Sequence, residues 1–258
     1  MPENAQPQES PQKPDADAST IDVSSLPPRI QQPVGELAQM LCELASDNLK
    51  GLVVFGAALT DSFDPTRMRT QSVAVLDHVD LAMLNELRAK GVKFGKMGLL
   101  APLIMTPRYI DESRDVFPVD LLEIQQRHIV VFGRDHFQDL AFHRPDVRLQ
   151  CERELKRALI QLRQGMLAAA HRDKVLIDLC LAAAEHVARI LRAVLWLKGK
   201  DSPASMHQVI DAARPVADLS LNGLRAAVDP QAGNDFSRFE ALYHDVEALA
   251  EWVDKLET

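Results

Sequence analysis

Apolar positions along this chain follow two periods, and the change between them falls near residue 135. Val34, Leu37, Met40, Leu41 and Leu44 recur at helical spacing and predict an amphipathic helix over about 34–48. Gly51-Leu-Val-Val-Phe-Gly-Ala57 then reads as a buried strand entering a tight turn, with the strand over about 51–59. A polar loop with Pro65 covers 61–69, and Thr70-Gln-Ser-Val-Ala-Val-Leu-Asp77 predicts a second strand. Val79, Met83, Leu84 and Leu87 mark a helix that stops near Gly91. Leu99 to Thr106 reads as a third strand, placed at an edge or a strand start because Pro102 cannot donate to a ladder. A short helical turn is expected over 107–118, a fourth strand over Val119–Ile124 and a fifth over His128–Gly133.

Beyond 135 the period stays helical. Val147, Cys151, Leu155, Leu159, Leu162 and Leu167 predict one long helix. Val175 to Leu197 predicts a second, opened by Asp173 and closed by Gly199. Ser202-Pro203 opens a third that ends at Asn222-Gly223, with a kink expected at Pro215. Phe236, Phe239, Tyr243, Val246, Leu249, Val253 and Leu256 form the stripe of a fourth. Short connections imply antiparallel neighbours, hence an up-and-down four-helix bundle. The expected plan is a disordered tail over 1–33, an α+β domain over 34–134 with a mixed sheet of four or five strands, and a helical-bundle domain over 135–258. The tail reading rests on Pro2, Pro7, Pro11, Pro14, Pro27 and Pro28 among polar residues, and it makes residues 1–30 dispensable for folding.

Composition narrows the classes. At 258 residues and 47% hydrophobic, the chain can bury a sizeable core. A net charge of −8 repels nucleic acid and anionic lipid at long range, and 5% aromatic content is too sparse for a base-stacking platform. Cys42, Cys151 and Cys180 are far apart and lack Cys-x-x-Cys spacing, which predicts reduced cysteines in a cytoplasmic protein and no structural zinc. No apolar run reaches the roughly 18 residues a membrane span needs, and no secretory leader is expected from the first residues.

The strand–turn–strand opening, Gly51 to Ala57 followed by Thr70 to Asp77, resembles the nucleotidyltransferase fold of DNA polymerase β and kanamycin nucleotidyltransferase. Met105-Thr-Pro-Arg-Tyr-Ile through Asp115–Ile124 and on to Val131-Phe-Gly-Arg-Asp135 is similar to the third-carboxylate strand and exit turn of bacterial members. The resemblance covers the chain from about residue 34 and implies a catalytic sheet followed by a helical bundle that completes the cleft. It also implies a Gly-Ser turn that holds phosphates and two alternate aspartates on the second strand that hold magnesium. Here the turn is Gly56-Ala57 and the matching strand offers Gln71, Ser72 and Val73.

Magnesium requires hard oxygen ligands in octahedral geometry, and Thr70–Leu76 contains no acid. The acids left over are Asp77 at the strand end, Asp61 and Asp64 in the loop, and Asp120 with Glu123. Asp120 matches the family's third carboxylate, and on a strand Asp120 and Glu123 would face opposite sides. Catalytic candidates are therefore Asp64, Asp77 and Asp120, while Gly56, Ala57, Arg67 and Arg69 are candidates for holding an anion. Histidines such as His78, His136, His143 and His186 lack metal spacing. A basic stripe of Arg148, Arg153, Lys156, Arg157, Arg163 and Arg172 lies on the first bundle helix, which is expected to face the Gly56–Ala57 turn. It reads either as a receiver for an anionic ligand or as a solvated face with pairs such as Glu152–Lys156. The expectation is a catalytically degenerate nucleotidyltransferase-fold module, without cofactor or metal, whose partner is a nucleotide-like anion or another protein. The alternatives are an active, magnesium-using nucleotidyltransferase with displaced carboxylates, and a structural subunit that dimerises through its bundle.

Overall fold

The computed structural model describes residues 20–60, 63–65, 68–170, 172–229 and 236–257. Four strands, β1 (Leu49–Phe55), β2 (Gln71–Leu76), β3 (Leu103–Met105) and β4 (His128–Gly133), form one mixed sheet in the order β3-β2-β1-β4. β1 runs antiparallel to β2 and β4, whereas β2 and β3 are parallel. A parallel pair needs a crossover. Helices α2 (Leu81–Arg88) and α3 (Gly91–Lys96) supply it, and β3 takes the edge that Pro102 favours.

Both faces of the sheet are covered, which is why β1 and β2 read as continuous apolar runs. Leu52, Val54, Ala74 and Leu76 pack on Val34, Leu37 and Leu41 of α1 (Pro28–Ala45). Val53, Phe55, Val73 and Val75 pack on Ile110 of α4 (Pro107–Glu112) and on Leu121 and Ile124 of α5 (Pro118–Gln126).

α5 corrects a sequence expectation, since Val119–Ile124 is helix rather than strand. Pro118 occupies the first turn, where its missing N–H costs nothing, and Asp120 adds an acid there. A second correction concerns residues 20–33. Asp22 N–H donates to Val131 O at 2.8 Å, and Leu26 and Ile30 are buried. Pro28 starts α1 and Pro33 lies within it, so these prolines belong to a packed helix. Residues 1–19 lie outside the described residues, as do Asp61 and Arg67.

The helical region contains α6 (Arg144–Ala169), α7 (Asp173–Leu197), α8 (Met206–Ala217), α9 (Asn222–Val228) and α10 (Phe236–Asp254). The expected third helix is shorter, and a further helix, α9, begins at Asn222, where the third was expected to end. Pro215 sits in the last turn of α8, and the chain leaves the helix at Asp218 and Leu221, both left-handed with φ 54° and 48°. Ala184, Val187, Leu191 and Val194 of α7 form the centre of the bundle core, with Leu224, Leu242 and Val246 against them. The α6 cations are largely engaged at the surface. Arg148 and Lys156 both pair with Glu152, and Arg163 donates to the Tyr243 hydroxyl. Cys151 is buried, and that burial pushes its thiol up to about 12, which makes it inert packing.

The two parts are joined through α5. Buried Gln150 of α6 accepts from Val119 N–H at 2.7 Å and donates to Asp120 Oδ2 at 2.8 Å. No helix among the described residues is long and apolar enough to cross a membrane.

Candidate functional site

β1 ends at Gly56, whose φ of +76° a side chain would resist. A Cβ there would also stand 2.9 Å from Gln71 Oε1. Gly56 N–H donates to Arg127 O at 3.3 Å, which ties the turn to the end of α5. Residues 56–59 then form a single 3₁₀ turn, and Thr60 donates through its hydroxyl to Ala57 O at 2.8 Å. Ala57 stays exposed.

The turn opens into a cavity of about 390 Å³ between the sheet and the bundle. Arg69 and Gln71 line it from the sheet side, Glu123 from α5, Arg127 from the C-cap of α5, and Glu185, Arg189 and Arg192 from α7. Met68, Leu100 and Met206 supply apolar wall. The arginines of α7 reach one wall because positions 185, 188, 189 and 192 share a helix face. Four guanidinium groups (Arg69, Arg127, Arg189, Arg192) against two carboxylates (Glu123, Glu185) leave the lining with a formal charge of +2.

Several of these charges are partly withdrawn from water. Burial outweighs the attraction of Arg189, Arg192 and Arg127 and raises the Glu123 carboxyl above its ordinary value. Burial also lowers Arg127 and Arg192, with Glu123 opposing the change. Arg127 donates to the carbonyls of Ala204 at 3.1 Å, Pro203 at 3.0 Å and Ser202 at 3.4 Å, and Arg192 reaches Ala204 O at 3.3 Å. Arg192 Nε is buried with no hydrogen-bond partner. These bonds fix the α7–α8 connection as the rim of the cavity.

The candidate residues from the sequence divide between places. Gly56, Ala57 and Arg69 lie together at the cavity. Arg69 is exposed and also donates to Pro65 O at 3.3 Å. Asp64 is in the neighbouring loop but does not line the cavity. Asp77 is at the opposite end of β2, where its N–H donates to Asn48 O, and it lines a separate depression with Lys50, Arg134 and His136. Asp120 is on α5 and is engaged by Gln150 and by Arg189 at 3.2 Å. Because α5 is a helix, Asp120 and Glu123 share a face and both approach Arg189, the second at 3.9 Å. The strand geometry would have separated them. The helix that lines the cleft is α7, not the first bundle helix α6. Sequence reading passed over Arg127, Glu185, Arg189 and Arg192, although Glu185, Arg189 and Arg192 recur at helical spacing on one face.

At the strand positions that the resemblance assigns to metal ligands, Gln71 is exposed at the cavity and Val73 is fully buried against Ile110, Leu121 and Ile124. Among the described residues, no group of three or more His, Cys, Asp or Glu is arranged to hold a metal ion.

The sequence matches no family in a scan of protein families and no protein in a search of curated relatives. Among solved structures, the fold is similar to the spectinomycin adenyltransferase AAD(9) from Enterococcus faecialis, crystallised with ATP and spectinomycin. The TM-score is 0.56 at 11% identity, over 87% of this chain and 99% of that one. The architecture is therefore a nucleotidyltransferase-like α+β domain followed by a helical region.

Proposed function

We propose that the chain is a binding module on a nucleotidyltransferase fold, and that it takes a phosphate-bearing, nucleotide-like anion into the cleft beside Gly56–Ala57 without magnesium-dependent nucleotidyl transfer. The observation that carries this reading is the exchange of charge at the site. Four guanidinium groups line the cavity, while the strand positions for metal ligands hold Gln71 and Val73. Gln71 offers a single neutral oxygen and Val73 offers none, so the residues present do not fit a magnesium pair that demands several hard oxygens. Guanidinium groups match phosphate geometry and keep their charge at all working pH. Each charge-assisted bond formed is worth about 1.5–3 kcal/mol. The ATP in the structural neighbour supports a nucleotide as the probe of choice.

A second reading has its own observation. Glu123 and Glu185 both line the cavity, and two carboxylates there are what an enzyme with displaced ligands would use. Titration of the full chain with ATP, with and without magnesium, separates the two. The module reading predicts binding that magnesium does not strengthen and nucleotide that is recovered intact. Magnesium-dependent nucleotide consumption that is lost in Glu123→Gln supports the enzyme instead. The third possibility, a subunit that dimerises through the bundle, predicts a concentration-dependent mass by analytical ultracentrifugation.

A further inference from the structure

Arg189, in the cleft wall, is held by three side chains, and one of them can change its charge. Arg189 Nη1 donates to Asp120 at 3.2 Å, and Nε lies 3.9 Å from Glu123. Arg189 Nη2 lies 3.1 Å from Nδ1 of His186, one turn earlier on α7. On the far side of the ring, His186 Nε2 is 3.3 Å from Glu154 of α6. A guanidinium has donors only, so His186 Nδ1 accepts. The ring is then the neutral tautomer, with its proton on Nε2 and directed at Glu154.

We propose that His186, oriented by Glu154, is a positioning residue that makes anion affinity in the cleft depend on pH, by holding Arg189 when neutral and releasing it when protonated. The functional consequence rests on the anion-binding reading given above. Protonation of Nδ1 turns the acceptor into a donor. The bond to Arg189 is lost, and a second positive charge then stands beside the guanidinium. Nη2 becomes available to a ligand in the cavity. The charged groups around the ring are Glu154 from α6, Arg189 and the adjacent Glu185 from α7, and Asp120 from α5. Burial, reinforced by Arg189 and opposed by Glu154 and Asp120, holds His186 below the ordinary histidine range. The change therefore falls on the acid side of neutrality.

Sulfate is the probe, because it stays fully ionised and does not itself titrate between about pH 5 and 8, where histidine does. Two signals are followed by NMR on the full chain: the His186 ring carbon and the Arg189 Nε–H, first without sulfate and then during sulfate titration. The expected result is one shared midpoint for His186 and Arg189, with sulfate affinity rising about fivefold as pH falls through it. Glu154→Gln removes a carboxylate that favours the charged ring, so it moves that midpoint to lower pH. His186→Gln removes the titrating ring and flattens the dependence. An Arg189 signal that ignores the His186 titration overturns the proposal. So does a pH dependence of sulfate binding that both variants leave unchanged. If Arg189 follows His186 but sulfate binds at no pH, the anion reading of the cleft falls and the claim about affinity falls with it, while the coupling of the two side chains stands.

Discussion

Among the described residues of the sheet domain, His128 and Asp135 make the most enclosed ion pair, with side chains 9% and 23% exposed. His128 Nδ1 lies 2.8 Å from Ile124 O, and Nε2 lies 2.9 Å from Asp135 Oδ2. Both ring nitrogens face acceptors, which favours the doubly protonated ring. Burial works against that charge, but the Asp135 carboxylate and the Ile124 and Gln125 carbonyls outweigh it and raise His128 above its ordinary value. Asp135 is likewise opposed by burial, yet is held below its ordinary value by His128 and by the Phe137 and Gln138 amides. The signs set the pH window. A raised histidine contributes stability that is complete below its unfolded value and lost as pH rises through the folded one. A depressed aspartate contributes stability that is present above its unfolded value and lost as pH falls. The pair is therefore strongest in mildly acidic solution and weakens as pH rises through the raised His128 value. Asp135→Asn is expected to cost about 2 kcal/mol, less than a fully buried pair because water reaches the carboxylate. Thermal melts across pH check this. The variant loses the fall in Tm on the alkaline side, and an unchanged profile would contradict the pairing.

At the scale of elements, two contacts decide stability. Gly223 opens α9 directly against α10, and a Cβ there would come within 2.2 Å of the Ala241 backbone. Gly223→Ala is expected to cost about 3 kcal/mol through overpacking, read as a lower denaturation midpoint. At the other end of the chain, removing residues 1–30 takes Leu26 and Ile30 out of the core formed with α1, β1 and β2. Each fully buried side chain is worth about 1.5–3 kcal/mol. This truncation is therefore expected to lower Tm by many degrees, and a melt within a degree or two of the full chain would show that the segment is dispensable. The sequence made β1, β2 and the long helices legible because their periods run for many residues. It failed at α5, where Pro118-Val-Asp-Leu-Leu-Glu-Ile124 is too short for period to separate helix from strand. The proline at the first turn was the available signal. The same failure obscured part of the site, since Glu123 reaches the cleft from α5 and Arg127 from the residue that ends it. Arg189 and Arg192 were legible as one helical face, but which bundle helix meets the sheet depends on packing that no local pattern contains.

At the scale of the whole molecule, a chain with a net charge of −8 gathers four guanidinium groups at one cavity between its two parts. On the proposed reading, this local excess of positive charge, +2 after Glu123 and Glu185, draws an anion to the cleft despite repulsion from the rest of the surface. The fold supplies the frame through the Gly56 turn, α5 and α7, and the site chemistry lies in which side chains that frame carries. The most direct test is NMR shift mapping of the full chain with ATP in the absence of magnesium, repeated with magnesium and with Ala57→Asp. The account predicts perturbed signals at Gly56, Ala57, Arg69, Gln71, Arg127, Arg189 and Arg192, no gain from magnesium, intact nucleotide after incubation, and weaker binding once a carboxylate enters the turn. Perturbations clustered away from that cavity, or magnesium-dependent consumption of the nucleotide, would contradict it.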